Sequence, residues 1–165
     1  MGPAMADITI DAPRERIYAV IADLAMRPAF CDHFQTEFRL QRIESRGIGA
    51  AARFHIGAPR FPLWMETVIH ELEEPHMILE RGRGGRIDRI PIGTAWELVE
   101  SAATMCDVQV TFWTEPETFF DKMGDRMASA GWYERQWKRA LSRLRDLIES
   151  DAPIEPLQVA GASPL

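Results

Sequence analysis

Residues 8–23 read Ile-Thr-Ile-Asp-Ala-Pro-Arg-Glu-Arg-Ile-Tyr-Ala-Val-Ile-Ala-Asp. The alternating start of this stretch predicts a strand over 6–11, and the helical spacing of its later apolar residues predicts a helix over 13–24. Asp11 is expected to cap that helix, because its carboxylate can accept backbone N–H groups that have no partner inside the helix. Pro13 is expected in the first turn, where its missing N–H costs no hydrogen bond. A strand that leads through a proline into an amphipathic helix is therefore the predicted start of the domain.

The rest of the chain divides into short strands and one long helix. Residues 27–34 are predicted to form a second short helix or a helical turn. Alternation between turn signals predicts strands over 37–43, 51–56, 64–73, 76–81, 93–100 and 104–114, with a glycine-rich loop over 82–85. Helical periodicity predicts one long helix from Glu117 to Ser150. Strands at short, even spacing favour an antiparallel meander. Residues 1–150 are thus predicted to form a single domain, and residues 151–165, with three prolines and no periodicity, a flexible tail.

Composition restricts the class of protein. Apolar residues make up 46% of the 165 residues and charged residues 27%, which is typical of a globular domain. The net charge of −6 argues against a nucleic-acid partner, and no apolar run approaches the roughly 20 residues that span a bilayer. Residues 1–7 lack the basic and apolar segments of a secretory signal. With Cys31 and Cys106 expected as buried, reduced thiols, the predicted location is the cytoplasm.

The order of elements resembles the helix-grip arrangement of the START-like (SRPBCC) superfamily, in its polyketide cyclase/dehydrase branch, over residues 6–149. Its local features here are Asp11-Ala12-Pro13, Glu73-Glu74-Pro75 before a strand, Gly93-Thr94 at the start of the sixth strand, and the closing Leu-Arg-Asp-Leu-Ile-Glu of residues 144–149. The resemblance implies an α+β fold, in which a curved antiparallel sheet of about seven strands wraps around the long C-terminal helix. It also implies an apolar pocket between sheet and helix, covered by the two short helices and nearby loops.

Glu134 is the carboxylate on the apolar side of the long helix. The arc around it comprises Phe119, Met123, Met127, Ala130, Trp137, Leu141, Leu144 and Ile148. Burying a lone carboxylate is costly unless it is paired or protonated. Glu134 is therefore predicted either to bind or protonate a ligand in the pocket, or to turn to solvent if residues 128–131 kink the helix.

Two of the four histidines are candidates for chemistry at the pocket. His33 follows the second short helix, at a position that faces the pocket mouth in similar proteins, and His55 lies in the third strand, with a face that depends on the strand's register. A neutral imidazole can act as acid, base or donor, so His33 and His55 join Glu134 as candidate catalytic residues. The competing interpretation is an ordinary surface or core histidine. Cys31-Asp32-His33 lacks a second ligand cluster, so no metal site is predicted.

Large apolar side chains are expected to line both core and pocket. Trp96 and Phe112 point inward by alternation along their strands. The full candidate ligand-binding set is Phe30, His33, Phe34, His55, Trp64, Trp96, Phe112, Met123, Met127 and Glu134. The arginines near residues 82–85, which are Arg81, Arg83, Arg86 and Arg89, are interpreted either as a gate for an anionic ligand or as a solvated strand connection.

The resemblance implies binding of a small hydrophobic molecule, aromatic, polyketide-like or lipid-like, with no cofactor, by a monomer or a homodimer. One alternative is an enzyme of the same fold, a cyclase, dehydratase or lyase that uses acid–base groups of the pocket. A second alternative is a module that binds a partner protein. The sequence has no Gly-x-Ser-x-Gly elbow, and no nucleophile with its base is recognisable. Because a fold does not determine a function, all three hypotheses remain open here.

Overall fold

The architecture is taken from a computed structural model that describes residues 2–58, 63–85, 90–115 and 130–158. The strands are β1 (Ala4–Ile10), β2 (Gln35–Leu40), β3 (Ala51–Ile56), β4 (Leu63–Glu73), β5 (Met77–Gly84), β6 (Ile90–Ala102) and β7 (Met105–Thr114). The helices are α1 (Arg14–Ile21), α2 (Arg27–Cys31) and α3 (Ala130–Glu149), with a 3-10 turn at Leu24–Met26. Within these ranges the seven strands form one antiparallel sheet, in the order β1-β7-β6-β5-β4-β3-β2.

The sheet curls around α3, and this confirms the predicted α+β helix-grip fold. The buried residues of α3 are Tyr133, Trp137, Ala140, Leu141, Leu144 and Ile148. They share one hydrophobic core with inward residues of the sheet, among them Ile10, Trp96 and Phe112. Residues 117–129 of the predicted helix, with the candidates Met123 and Met127, lie outside the described residues. The described helix is therefore the C-terminal part of the predicted one.

The predicted cap of the first helix is wrong. Pro13 occupies the N-cap position, and no side chain caps the helix. The chain turns tightly after β1, where the Ala12 N–H donates to the Ile10 carbonyl, and this turn places Asp11 two residues before the cap. The Asp11 backbone N–H instead donates to Glu149 Oε1, at 2.9 Å. This contact ties the start of the fold to the end of α3.

The predicted glycine-rich loop over 82–85 is also wrong for most of its length. β5 continues to Gly84, and Gly82 is paired with both Thr67 of β4 and Ile92 of β6. The reason is a close approach of backbones, since a Cβ added at Gly82 would lie 1.7 Å from the Glu66 carbonyl oxygen. Glycine inside a strand often marks such an approach.

The chain beyond α3 runs back over the domain. Residues 152–158 have no regular secondary structure. The Leu157 N–H donates to the Ala25 carbonyl oxygen at 2.8 Å, and the side chain packs against the core. None of the described helices is long and apolar enough to cross a membrane.

Candidate functional site

An ion pair between Arg27 and Glu80 lies at the centre of the concave face. Arg27 begins α2 and Glu80 lies in the middle of β5, and each side chain is 1% exposed. Arg27 Nη2 donates to Glu80 Oε1 at 2.6 Å, and Nη1 lies 3.5 Å from Oε2. A charge removed from water is tolerated only when it is paired and hydrogen-bonded. This pair therefore anchors α2 onto the sheet.

Neighbouring strands complete the coordination of Glu80. Thr67 Oγ1 of β4 donates to Oε2 at 2.8 Å, and the Trp96 indole N–H of β6 donates to Oε1 at 2.9 Å. The Arg27 guanidinium also lies over the Trp96 ring, 5.1 Å from its centroid, and 5.9 Å from that of Phe30. Charge-assisted bonds and cation–π contacts of this kind are strongest in a buried setting. Glu80 is thus held by donors from three elements.

Burial and the ion pair together determine the charge states of Arg27 and its neighbour Cys31. Burial by itself would lower the pKa of Arg27, but the Glu80 carboxylate outweighs it and the pKa is raised. Burial raises the pKa of the Cys31 thiol to about 12, against the opposing effect of the Arg27 charge. Cys31 is therefore a protonated thiol at neutral pH, and a thiol is a poor nucleophile compared with its thiolate.

A small, largely enclosed cavity lies beside the ion pair and beneath α3. The space open to the centre of a water molecule is about 10 Å³, which suits about one water molecule. The lining residues come from six strands, two helices and the α2–β2 connection: Arg27, Phe34, Gln35, Phe54, Ile56, Met65, Thr67, Glu80, Ile92, Thr94, Phe112, Tyr133 and Trp137. The cavity therefore lies where the family resemblance implies a pocket, and its described volume is that of a small polar group.

Three polar atoms on lining side chains have unmet hydrogen bonds. Gln35 Oε1, Arg27 Nε and Trp137 Nε1 are buried without a hydrogen-bond partner in the part of the chain that the structure describes. A buried donor or acceptor left unsatisfied costs about 1–3 kcal/mol. The side chains of the cavity wall thus carry one acceptor and two donors without partners, in a lining that mixes apolar and aromatic with polar residues.

Four of the candidate binding residues lie at or next to the cavity. Phe34 and Phe112 line it directly. Phe30 and Trp96 pack edge-to-face beside it, with ring centroids 6.4 Å apart, and Trp96 binds Glu80. Trp96 and Phe112 are buried, as alternation along β6 and β7 predicts.

His55 and Trp64 lie on the opposite, outer face of the sheet. Phe54 and Ile56 fill the inward positions of β3, so His55 between them points away from α3. Its ring packs against that of Trp64, with centroids 5.4 Å apart, and Arg53 lies over Trp64. The structure therefore does not bring this pair to the cavity, because strand parity assigns it to the other side.

His33 connects the end of α2 with α3. The Arg143 guanidinium lies 3.1 Å from His33 Nδ1, and the Gln136 carbonyl oxygen lies 3.2 Å from Nε2. Arginine can only donate, so Nδ1 accepts, Nε2 carries the proton, and the ring is neutral. Burial lowers the pKa of His33, the bond to Gln136 opposes this, and the charges of Arg139 and Arg143 lower it further. Both ring nitrogens are thus engaged in joining two helices.

Glu134 lies on the flank of the buried face of α3. The α3 residues that line the cavity are Tyr133 and Trp137, and Glu134 between them is half-buried. No ion pair of Glu134 occurs among the described residues. The structure therefore places this candidate beside the cavity wall rather than in it.

The polar half of the site was not predicted from the sequence. Arg27, Gln35, Thr67, Glu80 and Tyr133 were not candidates, yet all five line the cavity. A signal for Glu80 was present, because it shares inward parity with the buried Ile78 along β5. A carboxylate at an inward strand position needs a partner, and only the tertiary structure identifies Arg27 as that partner.

The arginines near residues 82–85 are divided between the surface and the undescribed residues. Arg81 is exposed on the outer face, where it pairs with Glu115 and lies over the Trp113 ring. Arg83 is also exposed, whereas Arg86 and Arg89 lie outside the described residues. Among the residues described, no cluster of three or more His, Cys, Asp or Glu side chains could hold a metal ion.

The sequence matches no family model and no curated protein. Solved structures do match. A protein of Thermus thermophilus superposes with a TM-score of 0.70 at 15% identity, over 92% of this chain and 99% of that one. Norcoclaurine synthase of Thalictrum flavum, in complex with dopamine and hydroxybenzaldehyde, gives 0.68 at 12% identity, over 92% and 88%. A protein from the dynemicin biosynthetic locus gives 0.62 at 14% identity, over 94% of this chain and 50% of that one.

At these identities the likeness is one of fold. Element order, sheet topology and the position of the C-terminal helix agree with the arrangement that the sequence resembles. The chain therefore shares the helix-grip fold of these solved structures.

Proposed function

We propose that this protein binds a small molecule with an apolar body, aromatic, polyketide-like or lipid-like, between the concave face of the sheet and α3. One observation carries the proposal, namely a largely enclosed cavity whose wall combines aromatic side chains with buried polar atoms that lack partners. Ligand sites typically combine an apolar lining, which supplies affinity, with a few placed polar groups that fix orientation.

The aromatic wall is built for contact with a planar ligand. Trp137 packs against Phe34 with ring centroids 5.0 Å apart and against Trp96 at 5.4 Å, while Phe112 packs against Tyr133 at 4.9 Å. Offset and edge-to-face aromatic packing adds to the free energy of burial.

The solved structures of this fold support the proposal in general terms. Norcoclaurine synthase binds dopamine and hydroxybenzaldehyde in its crystal structure. The family resemblance of this sequence implies a ligand of similar chemical character. The polyketide-like character of the ligand rests on that resemblance and on the neighbour from the dynemicin locus.

A cyclase, dehydratase or lyase activity is the alternative. It requires acid–base groups that face one space, and its three candidates are separated here. His33 has both ring nitrogens engaged, His55 lies on the outer face, and Glu134 is beside the wall. Glu80 does face the cavity, but donors from Arg27, Thr67 and Trp96 already occupy its oxygens. Binding without chemistry is therefore the function that we favour.

A partner-binding role has less support. Ile43 and Ile48, in the β2–β3 connection, are 81% and 73% exposed. Single exposed apolar side chains are ordinary on globular proteins. The cytoplasmic location and the monomeric or homodimeric state remain proposals, the first supported by the buried, unbridged Cys31 and Cys106.

Native mass spectrometry of the protein, purified without denaturation from its own host, tests the proposal. We expect a noncovalent adduct at one per chain that is lost on acid denaturation and extracts into organic solvent. The absence of any adduct, together with no thermal shift across a library of lipids and neutral aromatic compounds, would contradict ligand binding. A reaction product formed from a bound library compound would instead favour the enzyme.

A further inference from the structure

We propose that the cavity beneath α3 is a site for a neutral hydroxyl group. In the free protein the hydroxyl belongs to one water molecule, and in the complex it belongs to a phenol or alcohol of the ligand. The assignment of a ligand hydroxyl rests on the proposed function and narrows the ligand to a phenol or an alcohol. The hydroxyl site follows from the unmet hydrogen bonds, the charge and the volume of the cavity.

The unmet hydrogen bonds require a group that both donates and accepts. Gln35 Oε1 needs a donor, whereas Arg27 Nε and Trp137 Nε1 need acceptors. These side chains are 3%, 1% and 2% exposed, and all three line the cavity. A hydroxyl has one O–H donor, which matches Gln35 Oε1, and two acceptor lone pairs, which match the two N–H groups. A carbonyl, an ether or a carboxylate cannot donate to Gln35.

The charge of the site favours a neutral group. Arg27 is already matched by Glu80 at 2.6 Å, and both charges are buried. A ligand carboxylate would enter beside Glu80, and a ligand ammonium beside Arg27, where low polarity strengthens repulsion between like charges. A neutral hydroxyl avoids both penalties, and its oxygen can still accept a hydrogen bond from the Arg27 Nε–H.

The volume limits what enters the polar end of the site. About 10 Å³ of space accommodates the oxygen of one water molecule or one hydroxyl, and no larger polar group. The ligand's body must then displace apolar side chains of the wall. Met65 lies on that wall, and an unbranched thioether side chain repacks readily.

Three probes of equal ring size test the proposal, namely β-naphthol, naphthalene and β-naphthoate. Isothermal titration should give at least about tenfold tighter binding for the naphthol than for naphthalene, and weakest binding for the naphthoate. Gln35→Leu should reduce the naphthol advantage to about threefold or less and leave naphthalene unchanged. Trp137→Phe, which keeps a ring but removes the indole donor, should act in the same direction. Gln41→Leu is the same substitution as Gln35→Leu at an exposed position away from the cavity, and it serves as the matched control.

The predicted water molecule is tested in the ligand-free protein. A heteronuclear NMR experiment should detect a water cross-peak at the Trp137 indole N–H, and β-naphthol should abolish it. Equal binding of naphthol and naphthalene, unaltered by both variants, would overturn the hydroxyl site while leaving ligand binding intact. Failure of all three probes to bind, with no adduct from the host, would overturn the proposed function and this ligand class together. A missing water cross-peak in the free protein would overturn the water assignment.

Discussion

Arg27 and Glu80 form a buried ion pair inside the domain. They place a full ion pair where the other helix-facing residues of the sheet are mainly apolar. Thr67 and Trp96 complete the bonds of the carboxylate, so the pair is satisfied on the Glu80 side and has a spare donor on the Arg27 side. This asymmetry is the reason that a ligand group, rather than another side chain, is expected there.

Removing one partner should destabilise the fold strongly. Arg27→Leu leaves Glu80 buried without its cation, and we expect a loss of about 3–5 kcal/mol in the free energy of unfolding, measured with urea. The double variant Arg27→Leu with Glu80→Leu should recover part of that loss, because it removes both desolvation penalties but leaves the Thr67 and Trp96 donors without their acceptor.

The exposed pair Arg81–Glu115 is the control for that experiment. Its side chains are 48% and 56% exposed, so Arg81→Ala should cost less than about 1 kcal/mol. If Arg27→Leu costs no more than Arg81→Ala, the buried pair does not anchor α2.

Gly82 tests the close approach of β4 and β5. A Cβ at this position would lie 1.7 Å from the Glu66 carbonyl oxygen, which is backbone and cannot swing aside. Gly82→Ala should therefore cost at least about 2 kcal/mol by urea unfolding. Gly57→Ala, where nothing lies within 4 Å of the added Cβ, should be within about 0.5 kcal/mol of wild type. Equal stabilities for the two variants would show that the strands separate easily at this point.

At the scale of elements, α2 and α3 are joined by one cluster of polar contacts. Arg143 of α3 donates to Asp32 and to the Ala29 carbonyl oxygen, and it also contacts His33. His33 in turn donates to the backbone of α3 at Gln136. Because α2 carries Arg27, this cluster also holds the guanidinium over the cavity.

The His33 contact makes stability depend on pH. The pKa of His33 in the folded protein lies below its ordinary value of 6.5, chiefly because of burial. Between the two values the unfolded chain binds more protons, so stability rises with pH in that window. The contribution of neutral His33 to the stability of the fold is fully present above about pH 6.5 and is lost as the pH falls through the pKa of His33 in the folded protein.

Thermal unfolding of His33→Gln checks this expectation. Between about pH 7.5 and about pH 5.5 the melting temperature of the wild type should fall more than that of the variant, which cannot titrate at this position. His70→Gln alters a histidine exposed on β4 and should behave like the wild type. Parallel pH profiles for wild type and His33→Gln would contradict the neutral, bonded state of His33.

At the scale of the whole molecule, the order of elements was predictable because apolar periodicity reports it directly. Alternation placed Trp96 and Phe112 inward, and the helical arc placed Trp137, Leu141 and Leu144 against the sheet. Local signals were less reliable where backbone geometry intervened, as at Gly82 within β5 and at Pro13 in place of Asp11 as the cap.

The polar site was not predictable in the same way. Its members come from α2, four of the strands and α3, and their meeting depends on strand register and on the position of α2. The sequence pattern of β3 does indicate that His55 lies on the outer face, since the apolar residues on either side of it, Phe54 and Ile56, point inward. No comparable pattern connects Arg27 to Glu80 across 53 residues of chain.

Four of the five tryptophans provide the most direct test of ligand binding between the sheet and α3. Trp137 carries an unpartnered indole N–H on the cavity wall, Trp96 binds Glu80 beside it, and Trp64 and Trp113 lie on the outer face. Indole N–H resonances, assigned by single Trp→Phe variants, can be followed by NMR during titration with β-naphthol. Ligand binding beneath α3 predicts that the Trp137 signal shifts most and Trp96 next, with Trp64 and Trp113 unchanged. Shifts confined to Trp64 or Trp113, or no shift at saturating probe, would contradict it.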